Sequence, residues 1–210
     1  MDTMANQDHL QQIIIVAQGF YARKDSAHDL EHALRVREWG KLLAEDEGVA
    51  DSNIIELAAL LHDIGRSGAV EKTHAESSAG LAVNILRKAG YSEDIVLRVR
   101  DAILAHSRET GHEPNTLEEK ILYDADKLDF VGAIGLGRLF AFGGIEGWPL
   151  VGEKSCESFY LEKIRSYQEH LHTKAAIANF EPLLFFMEEF WRELHAERLK
   201  LSLSGQANSL

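Results

Sequence analysis

A chain of 210 residues with 34 Asp and Glu against 22 Lys and Arg carries a formal net charge of −12. Its length allows one sizeable core, and 45% hydrophobic with 27% charged residues excludes a mainly disordered chain. The acidic balance excludes a protein built to coat extended nucleic acid or an anionic membrane, since both demand a basic face. A small anionic substrate stays open where a metal or a local Arg and Lys cluster offsets the field.

The single cysteine, Cys156, rules out a disulfide framework and makes a thiolate zinc site improbable, so the chain reads as cytoplasmic. The longest N-terminal apolar run, Ile13 to Ala17, is too short for a membrane span or a signal-peptide core. Only Pro114, Pro149 and Pro182 break a composition rich in helix formers, and no alternating β-branched run appears, so the fold is predicted all-α.

In chain order, apolar periodicity predicts a first helix from about Gln7 to Arg23. A second runs from Ser26 or His28 to Glu47 and stops before Gly48. Asp51 or Ser52 caps a third that reaches Gly65, and 66–72 reads as loop. Thr73 to Glu76 forms a capping box for a fourth helix ending near Gly90, Ser92 caps a fifth to about Ser107, and 108–115 is loop. Thr116 to Glu119 is a second capping box, opening a helix towards Phe130. Gly132 to Gly144 is rich in small residues, which suits close helix packing better than a nucleotide loop. Gly143-Gly144 through Gly152 reads as the longest irregular stretch. Two helices follow, about Ser155 to Asn179 and Pro182 to Lys200, where Pro182 either starts the second or kinks one long helix. The tail from Ser202 is expected to fray. No linker divides residues 1–210, which read as one domain with a core at about 25–145 and C-terminal helices at about 155–200 packed on it.

The chemistry concentrates in ten histidines and their carboxylate neighbours. His62-Asp63 closes the apolar run Ala58 to Leu61, putting an imidazole and a carboxylate at the edge of the core, where an unpartnered polar group is costly. A divalent cation satisfies both. Neighbouring helical residues diverge by about 100°, so one ion meets both only between helices, with further ligands from elsewhere. His32 in the second helix and Asp126 in the sixth are the candidates. Two imidazoles and two carboxylates suit Mn²⁺, Fe²⁺, Co²⁺, Ni²⁺ or Zn²⁺ better than Ca²⁺, and leave positions open for water and substrate. Taken singly, the doublet also fits a solvated helix end and Asp124, Asp126 and Asp129 an exposed acidic face.

The ordered pattern His32, His62-Asp63, Asp126 resembles the HD-domain metal-dependent phosphohydrolases. The resemblance spans roughly 25–145 and includes His28-Asp29, Ala105-His106-Ser107 and Asp124 to Asp129. The stretch from Gly132 to Gly144 is similar to a small bacterial single-domain branch, some of whose members resemble nucleoside-triphosphate pyrophosphohydrolases. It implies a helical bundle of about eight or nine helices. It also implies a divalent cofactor (Mn²⁺, Co²⁺, Ni²⁺, Fe²⁺, Zn²⁺ or Mg²⁺) on His32, His62, Asp63 and Asp126, and a metal-activated water attacking phosphorus. Asp63 is the candidate to orient or deprotonate that water. His106 is the candidate to stabilise a leaving group, bind phosphate or help hold a second metal. Arg66, Lys127, Arg138, Asp129 and His28 are candidates to contact substrate. Arg66 stands where some branches carry Lys and others a catalytic acid; its planar fork suits phosphate but cannot act as a base. His74 and Glu76 read first as the start of the fourth helix, and no set for a committed two-metal centre is evident.

The expected substrate is a small phosphorylated metabolite, foremost a deoxynucleoside triphosphate cleaved to monophosphate and pyrophosphate. Nucleoside monophosphates and cyclic nucleotides are the next alternatives. From another class stand a non-catalytic metal- or nucleotide-binding regulator and a metal that merely staples the fold. Phe180, Phe185, Phe186, Phe190 and Trp191 read as core, or as a homodimer interface where exposed. Trp148-Pro149-Leu150 reads as a lid or pocket wall.

Overall fold

The computed structural model describes residues 2–22, 28–48, 50–66 and 73–207. These form helices α1 (Asp2–Tyr21), α2 (Leu30–Glu47), α3 (Ser52–Leu61), α4 (His74–Lys88) and α5 (Glu93–Ala105). There follow α6 (Leu117–Leu128), α7 (Gly132–Glu146), α8 (Cys156–His170) and α9 (Lys174–Ala207), with a 3₁₀ turn at Arg108–Thr110 and, among the described residues, no strand. The all-α bundle predicted from composition is therefore what forms.

Local chemistry sets most of the boundaries. Asp29 and Ser92 accept backbone N–H groups of α2 and α5, and Thr73 and Thr116 make reciprocal capping boxes with Glu76 and Glu119. Gly48 ends α2 at φ 73°, where its N–H reaches Ala44 O and Glu45 O. α3 is the hub: seven of its ten residues are buried, and it touches α1, α2, α4, α5 and α6. One apolar cluster takes side chains from every helix α1 to α9. Among the described residues no single helix is long and apolar enough to cross a membrane.

Several boundaries differ from expectation. Arg23, Ser26 and most of the 66–72 loop lie outside the described residues. α2 starts at Leu30, so His28 precedes the Asp29 cap rather than sitting on the helix. α3 stops at Leu61, which leaves His62-Asp63 on the turn that follows. α7 continues through Gly143-Gly144 to a left-handed cap at Gly147, so the irregular stretch is only 147–155. A Cβ on Gly135 would lie 1.9 Å from Phe130 O, which is why α7 needs glycine where it turns back on the end of α6.

The C-terminal helices break at Leu171 to Thr173 and not at Pro182, which lies inside α9. The break is held from outside the segment. Buried Asp124 of α6 accepts the backbone N–H groups of His172 and Thr173 and the Thr173 hydroxyl at 2.7–3.2 Å. α9 then extends to Ala207, beyond the fray expected from Ser202. Phe180 and Trp191 are core, whereas Phe185 and Phe186 are 63% and 48% exposed.

Candidate metal centre

The ends of four helices and one face of a fifth deliver the chemistry to one place. His32 lies in the first turn of α2, where Asp29 Oδ1 accepts its backbone N–H. His62 caps the C-terminus of α3, with Asp63 next to it, and His106 caps the C-terminus of α5. His74 opens α4, and Asp126 lies on α6. The rings of His28, His32, His62, His106 and His74 form a row, with successive centroids 5.1–6.1 Å apart.

His32 Nε2 lies 3.2 Å from His62 Nε2, 3.4 Å from Asp126 Oδ1 and 4.0 Å from Asp63 Oδ2. His62 Nε2 is 3.8 Å from both carboxylates. The structure thus brings together four residues from three separated stretches of sequence, with His32, His62 and Asp63 mutually close and Asp126 near both histidines. His32, His62 and Asp63 are at most 1% exposed.

The ring orientations test whether a cation fits. His62 Nδ1 faces Ala59 O at 2.7 Å, and a carbonyl only accepts, so this nitrogen carries the hydrogen. His32 Nδ1 faces Asp129 Oδ2 at 2.8 Å and donates likewise. The two Nε2 atoms then point lone pairs at each other across 3.2 Å. Only a proton or a metal ion belongs between them, and with two carboxylates beside them the donor set fits a divalent ion.

Asp129 is braced in turn. Its carboxylate accepts from Arg35 Nε and NH2 at 2.7 and 3.0 Å and from Arg138 NH1 at 2.9 Å. It is 1% exposed and does not line the cavity described below, so it stands behind His32 rather than before a substrate. Arg35, its tightest partner, lies one turn after His32 in the stretch that carries the family resemblance, where the sequence alone assigns it no role.

The electrostatics follow from burial and these partners. Burial pulls His32 down, but Asp126 and Asp129 more than offset it, and its pKa is raised. Burial lowers His62 and His74 and pushes His106 well below the ordinary histidine range. Burial opposes ionisation of Asp63, yet the charges of His62, Arg66, His106 and His32 hold it well below the usual carboxylate range. Asp126 is likewise held low, against burial, chiefly by Lys127 and His32.

A second set of donors shares Asp63. His74 Nε2 and His106 Nε2 are 3.3 Å apart and lie 3.7 and 3.9 Å from Asp63 Oδ1. His106 Nδ1 donates to Ile103 O, so its Nε2 also offers a lone pair. The sequence marks His106 as a candidate to help hold a second metal but leaves His74 as the start of a helix, because the two meet only after folding. Gly65 permits the approach: a Cβ there would lie 2.4 Å from Ser78 N, and its own N–H donates to Ser78 Oγ at 2.9 Å, seating α4 against the doublet. Glu76 stays in its capping box.

A cavity of about 290 Å³ is lined by Asp126 of the first set and by His74 and His106 of the second, while His32, His62 and Asp63 are not part of its lining. Arg66, Lys127, Arg138 and His28 line it, as does His106. Arg66 Nε donates to Asp63 Oδ2 at 2.8 Å, and Lys127 Nζ donates to His106 O and Asp126 Oδ2, both at 2.8 Å. The opposite wall is aromatic, with Phe130, Phe142, Phe159 and Tyr167, and periodicity alone had marked none of them as cavity residues. Trp148 backs this wall, 5.3 and 5.0 Å from the rings of Phe142 and Phe159, and is not itself part of the lining.

Residues 29–131 match the family described as the HD domain. The chain is 29% identical to protein YpgQ of Bacillus subtilis over 190 residues, which is 89% of this chain and 92% of YpgQ. The crystal structure of YpgQ in complex with ADP has the same fold, with a TM-score of 0.76 at 27% identity over 91% of this chain and 96% of the other. The crystal structure of a predicted HD superfamily hydrolase from an uncultured Thermotogales bacterium is 31% identical with a TM-score of 0.67, covering 90% and 92% of the two chains. A deoxyguanosinetriphosphate triphosphohydrolase-like protein of Caldanaerobacter subterraneus is 30% identical over 136 residues, 59% of this chain and 38% of that protein.

Proposed function

Because the chain belongs to the HD-domain superfamily of hydrolases, we propose that it is a metal-dependent phosphohydrolase of small phosphorylated metabolites, and of nucleotides first. One observation carries the reading. His32, His62 and Asp63 turn ligand atoms towards one another, with Asp126 Oδ1 3.4 Å from His32 Nε2, beside a cavity that Asp126, Arg66, Lys127 and Arg138 line. A divalent ion bound there supplies positive charge to phosphate oxygens and lowers the pKa of water. Asp63, kept ionised, orients the attacking water through its carboxylate. Arg66 and Arg138 hold phosphate oxygens by their planar forks, and Lys127 places a fixed ammonium beside them. His106 is neutral with its lone pair inward, which supports the cation-holding role among its three candidates.

The preferred reaction is attack of water on the α-phosphorus of a deoxynucleoside triphosphate. The bond to the bridging oxygen breaks, and pyrophosphate leaves with the monophosphate as second product. The ADP bound to YpgQ and the triphosphohydrolase-like relative support a nucleotide, and the net charge of −12 argues against a polymer. The Asp63, His74 and His106 set favours a second reading, two-ion hydrolysis of a nucleoside monophosphate or a cyclic nucleotide.

The test is product analysis with Mn²⁺, Co²⁺ or Ni²⁺ across deoxynucleoside triphosphates, monophosphates and cyclic nucleotides. Pyrophosphate release is expected. Orthophosphate from monophosphates, or opening of a cyclic ester, selects the second reading. No turnover of any phosphate ester or anhydride with any of the three ions leaves the regulator.

A further inference from the structure

The aromatic wall of the cavity has no part in the phosphate chemistry, and its composition is specific. Phe159, Lys163, Ser166 and Tyr167 share one face of α8 at spacings i, i+4, i+7 and i+8, and all four line the cavity. Phe142 lies 5.9 Å from Phe159 at an interplanar angle of 37°, and Phe130 lies 6.1 Å from Phe159 and 5.5 Å from Tyr167. His28 links this wall to the metal floor, its ring centroid 6.2 Å from Phe142 and 6.1 Å from His32. A flat π-system attached to a phosphate can therefore lie on the rings while its phosphates reach Arg66 and Lys127. A volume of about 290 Å³ suits one mononucleotide-sized ligand rather than a polymer.

The polar groups on this wall set which π-system fits. Lys163 Nζ lies 5.2 Å above the Phe159 ring and meets no carboxylate among the described residues. The Ser166 and Tyr167 hydroxyls, half-buried beside it, accept no hydrogen bond and make none to the described residues. An ammonium only donates, whereas hydroxyls both donate and accept. The wall thus favours a ring edge rich in acceptors. Guanine, uracil and thymine present carbonyl oxygens. Adenine has only ring-nitrogen acceptors, and its exocyclic amine would turn donors towards the donor-only Lys163 ammonium.

Resting on the phosphohydrolase reading, we infer that the α8 face is the nucleobase subsite, with Phe159 as stacking platform and Lys163 as the residue that selects carbonyl-bearing bases over adenine. Lys163 is a specificity-determining residue here; it takes no part in phosphoryl transfer.

The test titrates the full chain calorimetrically, in the presence of Mn²⁺, with α,β-methylene-GDP, α,β-methylene-ADP and methylenediphosphonate, none of which hydrolyses. The GDP analogue is expected to bind about tenfold more tightly than the ADP analogue, the worth of one charge-assisted hydrogen bond. Lys163→Met brings the two within about twofold and Lys163→Arg restores the preference, since either cation donates to a carbonyl. Phe159→Leu, which keeps apolar volume, weakens both nucleotides about tenfold more than it weakens methylenediphosphonate. Equal binding of the two nucleotides by the native chain, or a preference that survives Lys163→Met, overturns the inference. If methylenediphosphonate binds as tightly as the nucleotides, the subsite fails and the phosphate site stands. If the nucleotides bind base-selectively and no nucleotide is ever hydrolysed, the phosphohydrolase reading fails and the subsite stands. If none of the three binds, both fall.

Discussion

Asp63 turns Oδ2 to His32 and His62 and Oδ1 to His74 and His106, and the two sets it joins are built to different tolerances. In the first, both imidazoles are buried, and both are fixed from behind, by Asp129 and by Ala59 O. Arg35 and Arg138 hold Asp129 itself. In the second, only His106 is fixed in this way. The side chain of His74 is 17% exposed, and its other nitrogen lies 3.3 Å from Glu109, which is 66% exposed. A ligand set held rigid before the ion arrives binds it more tightly than one that must be ordered on binding. The first set is thus expected to bind an ion more tightly than the second.

Five measurements can break or sharpen that contrast. The largest effect is expected for His62→Ala: a fall in Mn²⁺-dependent turnover of about 10³-fold, or roughly 4 kcal/mol of transition-state stabilisation. Far-UV circular dichroism should show the helices intact; turnover within tenfold of the native chain would remove His62 from the site. Asp129→Asn keeps the shape but weakens the acceptor behind His32, and should loosen the first Mn²⁺ by about 10–100-fold, read from the free-ion signal in electron paramagnetic resonance. His74→Ala should change that first affinity by less than about tenfold while removing a weaker equivalent from the titration. A loss equal to that of Asp129→Asn would show that the two sets are not unequal.

The smallest effect is on stability. Burial lowers His62, His74 and His106, so their unfolded forms take up protons first, and their contribution to stability is lost as pH falls below about 6.5. His32, raised by its carboxylates, works the other way: its contribution is complete below the unfolded value and is lost as pH rises through the folded one. Three groups outweigh one, so the melting temperature of chelated protein should drop between pH 7 and pH 5. At roughly 2–4 °C per kcal/mol for a chain of this size, the change is a few degrees. Chelation at pH 7 should leave the far-UV spectrum helical, because the apolar cluster spans all nine described helices; unfolding on chelation would make the ion a staple.

What was legible in the chain was whatever its chemistry fixes locally. The boxes at Thr73 and Thr116, the cap at Ser92, and the burial of α3 all follow from neighbours within a turn or two. The His and Asp quartet was readable because one type of chemistry explains four otherwise awkward residues. What was not legible depends on contacts across the fold. The break before α9 is set by Asp124, 48 residues upstream of His172. The place of His74 depends on a glycine clearance that no periodicity reports. Phe159 and Tyr167 carry the spacing of core residues, and only the position of α8 over the floor turns them into a cavity wall.

His62 and His106 use one device. Each ends its helix, and each donates Nδ1–H to the carbonyl three residues back, Ala59 or Ile103. The carbonyl that a helix end leaves unbonded therefore also aims the imidazole. Counting of residues along α3 and α5 becomes part of the catalytic geometry: one residue inserted or deleted inside either would swing its terminal ring through about 100° and aim it out of the site. Insertions should instead be absorbed in the connectors, such as 147–155, with the two helices behaving as rulers cut to length.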